Sequence, residues 1–217
     1  MTEDQEYIIE NIQAQITLGM VDTSFIEELM LAIIADEGLE DEIPASWVKE
    51  QVRLANRKHR QAAKTWSKPT DPARLFAAFE DLAKQQIIAL HHVGFIQADG
   101  EEAVVQVERE LRKADKTSKG YCFYTAKDLE DAVFTDYKNL ALSFQIINNE
   151  EDAAAVALGN RISETLQKHG LTVSWDGTIN QKIEIKDINW QKTFQESEVD
   201  FMNYDHVLDL ILTSSKA

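Results

Sequence analysis

The side chains with the clearest chemical potential lie at a Trp-Asp-Gly corner, residues 175–177, between two β-rich runs. Asp-Gly adopts positive φ at low cost, so the dipeptide predicts a hairpin turn. A longer loop through Asn180 is the alternative, and it would expose Trp175 or Asp176 at the end of the sheet. An exposed indole beside a carboxylate can stack a ring or anchor a partner.

Tyr124 and Asp128 form a second candidate pair, because they bracket the end of a predicted strand and the start of a predicted helix, where ligands often bind. Asp128 is equally suited to a structural role in the first turn of that helix. With Trp175 and Asp176 they make up the candidate ligand-binding or partner-binding residues.

Other reactive residue types do not form a recognisable site. The pair His91-His92 lies near carboxylates such as Asp99, but adjacent histidines on a helix point apart and rarely share one ion. Cys122 lies in an apolar strand without a nearby base, which predicts an inert thiol. Phosphate loops and nucleophile elbows are missing from the sequence. We therefore expect no metal and no cofactor, and no catalytic residue can be assigned.

The composition points to an interaction protein more than to a nucleic-acid or membrane binder. The 217 residues carry a net charge of −16, which disfavours contact with bare nucleic acid or anionic membranes. The charge suits a basic protein partner, although it also serves solubility alone. The acidic start lacks the features of a signal peptide and the single cysteine excludes an internal disulfide, so we expect a cytoplasmic protein.

The first third is predicted to be helical. The second helix should bury Phe25 and be capped by a Ser24–Glu27 capping box. An acidic loop, EGLEDEIP, follows it. The three predicted helices are one capped by Thr2, one from residues 22–24 to Gly38, and one from about Ser46 to residue 62.

The third helix concentrates basic residues at Arg53, Arg57, Lys58, Arg60 and Lys64. Pairing with acidic neighbours is one interpretation, and a phosphate-contacting patch is the other. The aromatic side chains that usually accompany a nucleic-acid patch are missing here.

After Pro69 and Pro72 the pattern alternates between helices and short strands. A long amphipathic helix, ARLFAAFEDLAKQQIIAL, comes first. The predicted strands are residues 94–97, 121–126, 140–147, 171–175 and 182–188. The predicted later helices are residues 100–114, residues 128–133, one capped by Asn149 and ending at Gly170, and NYDHVLDLIL near the end.

This order predicts an α+β fold: N-terminal helices, then a mostly antiparallel sheet of about four strands with helices packed on one face. The predicted domains are a helical region over residues 1–66, an α+β domain over residues 67–190, and an acidic C-terminal segment over residues 191–217 with a closing helix.

Several stretches resemble an uncharacterised family of bacterial proteins known as a domain of unknown function. They are TWSKPTDPARLFAAFEDL, GYCFYTAKDLEDAV, LALSF and GLTVSWDGTINQKIEIKDINW. Where that family has cysteines and a His-Gln-Gln-Asp run, this chain reads HHVGFIQADG and TAKDLED, and only Asp128 matches. The SWDGT corner is also similar to the B-type protein regulators of ribonuclease E activity.

Two functional hypotheses follow. The first is a non-enzymatic interaction or regulatory protein whose acidic surface meets a basic protein partner, with association sensitive to salt. The alternative is a small-ligand binder or enzyme with a pocket at the strand ends, near Tyr124, Asp128, Trp175 and Asp176.

Overall fold

The computed structural model describes residues 1–147, 152–195 and 204–214. These residues form two compact units. The helical unit contains residues 1–70 and 190–195, and the α+β unit contains the remaining described residues.

The helical unit is built from three helices around one apolar core. The helices are α1 (Glu3–Leu18), α2 (Thr23–Asp36) and α3 (Ala45–Ala62), and a 3₁₀ turn over Ala63–Thr65 follows α3. The core residues are Ile8, Ile12, Ile16, Ile26, Met30, Ile34, Ile43, Val48 and Val52. Burial of these apolar side chains is what fixes the rotation of each helix about its axis.

The caps of the first two helices differ in how well the sequence predicted them. Thr2 caps α1 through a capping box, as expected. The Ser24–Glu27 box at α2 is wrong, because Asp22 is the N-cap and accepts a hydrogen bond from the Phe25 N–H at 2.8 Å. This start sets the helix so that Phe25 is 52% exposed and not buried. The fully buried positions of α2 are Ile26, Met30 and Ile34.

A return of the chain near residue 190 completes the helical unit. The Trp190 indole N–H donates to the Leu18 carbonyl oxygen at 2.9 Å, and the Trp190 side chain is buried. The Lys192 carbonyl oxygen accepts a hydrogen bond from His59 Nε2 at 2.7 Å. Gly19, at φ +61°, leaves room for this segment, since a Cβ there would lie 2.8 Å from the Lys192 carbonyl oxygen.

The α+β unit contains a five-stranded mixed sheet in the order β1-β2-β3-β5-β4. Its strands are β1 (Ile88–Leu90), β2 (Tyr121–Phe123), β3 (Leu140–Gln145), β4 (Val173–Ser174) and β5 (Ile183–Ile185). Its helices are α4 (Asp71–Lys84), α5 (Gln97–Lys113), α6 (Ala126–Phe134), α7 (Asp152–Lys168) and α8 (Asp205–Ser214). Only β1 and β2 are parallel, and the other neighbours are antiparallel.

Helices contact both faces of this sheet. Phe123 packs in a cluster with α5 side chains and Ile211 of α8. Its neighbour Cys122 points to the opposite face, in register with Phe144, because side chains alternate along a strand. On that face Phe144 contacts Trp175, which in turn packs against Gly159 of α7. The α+β class is confirmed, with five strands where about four were expected and with helices on two faces where one was expected.

One strand was missed and one was misplaced. The long amphipathic pattern that predicted a single helix contains both α4 and β1, with Gln86 at φ +69° between them. Glycine usually occupies such a left-handed position and marks the end of a helix in the sequence, but here the residue is a glutamine. The predicted strand over residues 94–97 is wrong, since the segment leads into α5 with the Asp99 carboxylate accepting from the Phe95 and Ile96 N–H groups. The expected cap Asn149 lies outside the described residues.

Across the described ranges, every helix is too short or too polar to cross a membrane.

Gly100 allows α5 to approach the ring of Phe123, and we expect Gly100→Ala to destabilise the protein. A Cβ at this position would lie 2.2 Å from the fully buried ring. Overpacking costs about 1–3 kcal/mol, which exceeds the gain of about 1 kcal/mol in helix propensity. Denaturant unfolding measures the change. Gln106→Ala, at an exposed position of the same helix, is the control, with an expected change within about 0.5 kcal/mol; equal losses for the two variants would contradict this packing explanation.

Candidate functional site

Asp128 is held by a capping box at the start of α6. Its Oδ2 accepts hydrogen bonds from the Thr125 N–H at 3.0 Å and from the Thr125 hydroxyl at 2.8 Å. The Thr125 Oγ1 in turn accepts from the Asp128 N–H at 3.1 Å. Two orphan N–H groups of the helix start are thereby satisfied. The structural interpretation of Asp128 therefore accounts for one of its two oxygens.

The second oxygen of Asp128 forms an ion pair with Lys182. The Lys182 Nζ lies 2.9 Å from Asp128 Oδ1, and the carboxylate side chain is only 13% exposed. Lys182 comes immediately before β5, so this ion pair ties the start of α6 to the β4–β5 connection. The arrangement lowers the cost of burying the carboxylate, because a partly buried charge needs a partner.

The Trp-Asp-Gly corner is held by hydrogen bonds within its own loop. The Trp175 indole N–H donates to the Thr178 carbonyl oxygen at 2.9 Å. Asp176 Oδ1 accepts from the Thr178 N–H and from its hydroxyl, both at 2.9 Å. Gly177, at φ +80°, provides the left-handed residue of the turn. Thr178 is thus the common partner of both candidate side chains.

The hairpin uses the longer of the two loops considered from the sequence. Val173 pairs with Ile185 and Ser174 with Glu184, so residues 175–182 form the connection between β4 and β5. A two-residue turn at Asp176-Gly177 would require a different register, and that interpretation is wrong. The Asp-Gly turn is instead one part of the larger loop.

The Trp175 ring is an internal contact as well as a surface feature. It meets the Phe144 ring edge-on with centroids 5.4 Å apart. On its other side, a Cβ on Gly159 would lie 2.4 Å from the indole, so the absence of a side chain there makes room for the ring. Trp175 remains half-buried, and Asp176 is exposed.

Tyr124 is completely buried below an aromatic group. Its hydroxyl lies 3.2 Å from His91 Nδ1, and its ring is 6.1 Å from that of Phe79. The His91 ring stacks on Phe76 and Phe79 with centroid distances of 4.1 and 4.4 Å. Contact between Tyr124 and an external ligand would require this group to open.

The remaining reactive groups have no shared site. His92 follows β1 at φ +50°, not on a helix, and its buried Nε2 has no hydrogen-bond partner among the described residues. Burial lowers the pKa of His92 and raises the pKa of Cys122, which keeps both groups in their neutral forms. Residues 1–147, 152–195 and 204–214 contain no cluster of three or more His, Cys, Asp or Glu side chains that could hold a metal ion.

The four candidate residues therefore occupy three local networks. Tyr124 belongs to the aromatic group with His91, Asp128 bonds to Thr125 and Lys182, and Trp175 and Asp176 share Thr178. Sequence reasoning missed Lys182 and Thr178, whose roles depend on the loop conformation. The Thr125-x-x-Asp128 spacing of a capping box was the available signal for Asp128.

A second feature with functional potential lies in the helical unit. The last residue of α2 and the loop after it carry five exposed carboxylates, on Asp36, Glu37, Glu40, Asp41 and Glu42. None of the five has an ion-pair partner in the part of the chain that the structure describes. Buried Ile43 and backbone hydrogen bonds from Leu39 to Ile34 and from Ile43 to Leu39 fix the conformation. We call residues 36–42 the acidic segment.

Charge is sorted along the helical unit as a whole. Residues 1–48 contain twelve Asp or Glu residues and no Lys or Arg. Residues 51–70 contain six Lys or Arg residues and no Asp or Glu. The acidic residues therefore lie mainly before α3, and the basic residues lie mainly on α3, which also carries Glu50.

Comparison with known proteins gives one match. The family model described as Domain of unknown function (DUF6891) matches residues 1–194. Searches of curated proteins and of solved structures found no match. The resemblance to an uncharacterised family is thereby confirmed, while the similarity to the regulators of ribonuclease E activity stays a prediction.

The Asp128–Lys182 ion pair makes a measurable contribution to stability. We expect Asp128→Asn to lower the free energy of unfolding by about 1 kcal/mol, because it weakens the capping box and leaves Lys182 without its partner. A double-mutant cycle with Lys182→Met should give a coupling of about 0.5–1 kcal/mol. Asp176→Asn is the control, with an expected change within about 0.5 kcal/mol. A neutral Asp128→Asn would show that the carboxylate has no structural role.

Proposed function

We propose that this chain, which belongs to the family described as Domain of unknown function (DUF6891), is a non-enzymatic interaction protein that binds a basic protein partner through an acidic surface. The observation that carries the proposal is the acidic segment, with five exposed carboxylates and no internal counter-charge among the described residues. A regulatory role, such as masking the active surface of the partner, is the form of interaction that we favour.

The acidic segment is difficult to explain by stability. Asp36 is the last residue of α2 and Glu37 is its C-cap, and the last turn contains no basic residue. Negative charges at this end of a helix oppose the macrodipole and cost about 0.3–1 kcal/mol each. The five like charges also repel one another. Retaining them in an ordered loop is more easily explained by a partner than by folding.

The fixed conformation of the acidic segment favours recognition by a partner. Leu39 and Ile43 anchor it to the core, so its carboxylates are presented on a fixed backbone. A preformed loop loses little conformational entropy when a partner binds. The net charge of −16 adds a long-range attraction for a basic protein and should raise the association rate at low salt.

The alternative, a ligand pocket at the strand ends, receives less support. Its four residues each have an internal role: Tyr124 is buried, Asp128 caps α6 and pairs with Lys182, and Asp176 and Trp175 bond to Thr178. A ligand would have to compete with these contacts. The four residues stay a prediction for a binding site, with Trp175 and Asp176 the more accessible pair.

Neutralising the acidic segment should abolish capture of the basic partner. The test variant is Glu37→Gln/Glu40→Gln/Asp41→Asn/Glu42→Gln. The control is Glu3→Gln/Asp4→Asn/Glu6→Gln/Glu10→Gln, which removes the same charge from exposed positions of α1. Tagged wild type and both variants are incubated at low salt with lysate from the source organism, and the captured proteins are identified by mass spectrometry.

We expect wild type and control to retain at least one basic protein that the test variant loses and that high salt releases. The association rate of the purified partner should fall as ionic strength rises. Identical captured proteins for all three baits, or an association rate independent of salt, would refute the proposed role of the segment.

The same charges should reduce stability, which a simpler pair of variants measures. We expect Asp36→Asn/Glu37→Gln to raise the free energy of unfolding by roughly 0.5–2 kcal/mol at low salt, because both charges oppose the dipole of α2. Glu3→Gln/Asp4→Asn removes equal charge from the first turn of α1, where negative charge is favourable, so it should lower stability. Urea unfolding of both variants decides; a shift of the same sign in both would contradict this account.

A further inference from the structure

A row of basic side chains follows one face of α3. Lys49, Arg53, Arg57, Arg60 and Lys64 are separated by four, four, three and four residues, and the last lies in the 3₁₀ turn. This spacing keeps successive side chains on one side of a helix. At a rise of 1.5 Å per residue, the row extends over about 22 Å.

These five cations line a groove between α3 and α2. The groove has a volume of about 530 Å³, and its other lining residues include Thr23 and Glu27 of α2. Fully buried Val52 contributes to the lining, and Asn56 and Gln61 add amide groups. Hence the groove combines an apolar surface, hydrogen-bond donors and five positive charges, with a single carboxylate on its wall. We call it the basic groove.

The charges of the basic groove are largely uncompensated. Arg53 pairs with Glu50, at 2.6 and 2.8 Å. The other four cations have no carboxylate within 4.0 Å among the described residues. Close pairing with an acidic neighbour, one of the two interpretations of the basic residues in α3, therefore applies to Arg53, while Arg57 interacts with Glu50 at longer range. Like charges three or four residues apart on a helix are unfavourable by roughly 0.2–0.5 kcal/mol per pair, so the row costs stability unless an anion binds.

We propose that the basic groove binds an acidic peptide segment of a partner protein. The cations recur about every 6 Å along α3. Carboxylates four residues apart on a helix, or two residues apart on an extended strand, recur at about 6–7 Å. Arginine suits this task, because its planar guanidinium donates two parallel hydrogen bonds to one carboxylate. The proposal goes beyond the function above, since it needs a partner of opposite charge and a different surface.

Two observations favour a peptide over a nucleic acid. Among the described residues, those that line the groove include no aromatic side chain, whereas sites for single-stranded nucleic acid use aromatic rings to stack bases. The net charge of −16 opposes a long polyanion, while a short acidic segment within the groove responds mainly to charges within about 8–10 Å.

Adjacent residues of α3 provide a matched pair of charge reversals for the test. Arg57 lines the groove, and Lys58 is equally exposed but does not line it. Fluorescence anisotropy measures the affinity of a labelled deca-glutamate peptide for the full chain, for Arg57→Glu and for Lys58→Glu. An oligothymidylate of the same charge and inorganic phosphate serve as competing probes. Circular dichroism during heating verifies that both exposed substitutions leave the fold intact.

We expect Arg57→Glu to weaken peptide binding by about tenfold or more and Lys58→Glu by less than about threefold, since only Arg57 can contact an occupant of the groove. Arg57→Lys should bind with an affinity between those of the full chain and Arg57→Glu, because it keeps the charge but loses the paired guanidinium hydrogen bonds. Equal losses for the two reversals, or no peptide binding to the full chain, would overturn the proposal. Tighter binding of the oligothymidylate than of the peptide would assign the groove to nucleic acid, and competition by phosphate at equal strength would assign it to a small anion.

Discussion

The shared apolar core of α1, α2 and α3 is the constraint that gives the helical unit its chemical character. Ile8, Ile26, Met30, Val48 and Val52 must all face one another, and this requirement fixes the rotation of each helix. The number of residues between a charged residue and these core positions then determines on which face of its helix the charge lies. Because most acidic residues lie before α3 and most basic residues lie on α3, the same packing that buries the core also keeps most of the opposite charges apart.

The α+β unit uses its polar side chains in the opposite manner. Asp128, Lys182, Asp176 and Thr178 satisfy one another over short distances, and each bond fixes a loop or a helix start. A carboxylate with two internal partners is a strong structural element and a weak ligand, because a ligand must first displace those partners. Both units contain the same types of polar residue, but those of the helical unit have more hydrogen-bonding capacity available for a ligand.

The sequence predicted the long helices and the antiparallel strands well, because their apolar periods are clear. The sequence-based prediction failed where the structure depends on backbone conformation or on a long-range contact and not on residue type. Gln86 ends α4 in a conformation that glycine usually signals, so β1 was absorbed into the helical pattern. The cap of α2 is Asp22, two residues before the predicted Ser24, and Phe25 lies at the surface and not in the core. The Lys182–Asp128 pair joins residues 54 positions apart, and no local pattern predicts such a contact. The acidic loop is evident in the sequence, but only the structure shows that its carboxylates have no ion-pair partner among the described residues.

The return of the chain at Trp190 has a consequence for the order of synthesis. Its indole hydrogen-bonds to the Leu18 carbonyl oxygen, so the first helix acquires a native contact only after residue 190 has been made. At roughly 5–20 residues per second, a ribosome needs about 6–24 seconds to extend the chain from residue 70 to residue 190. During that interval the three N-terminal helices are exposed to the cell without their final segment. The unit made first is therefore completed only after residues 71–189 of the α+β unit have been made.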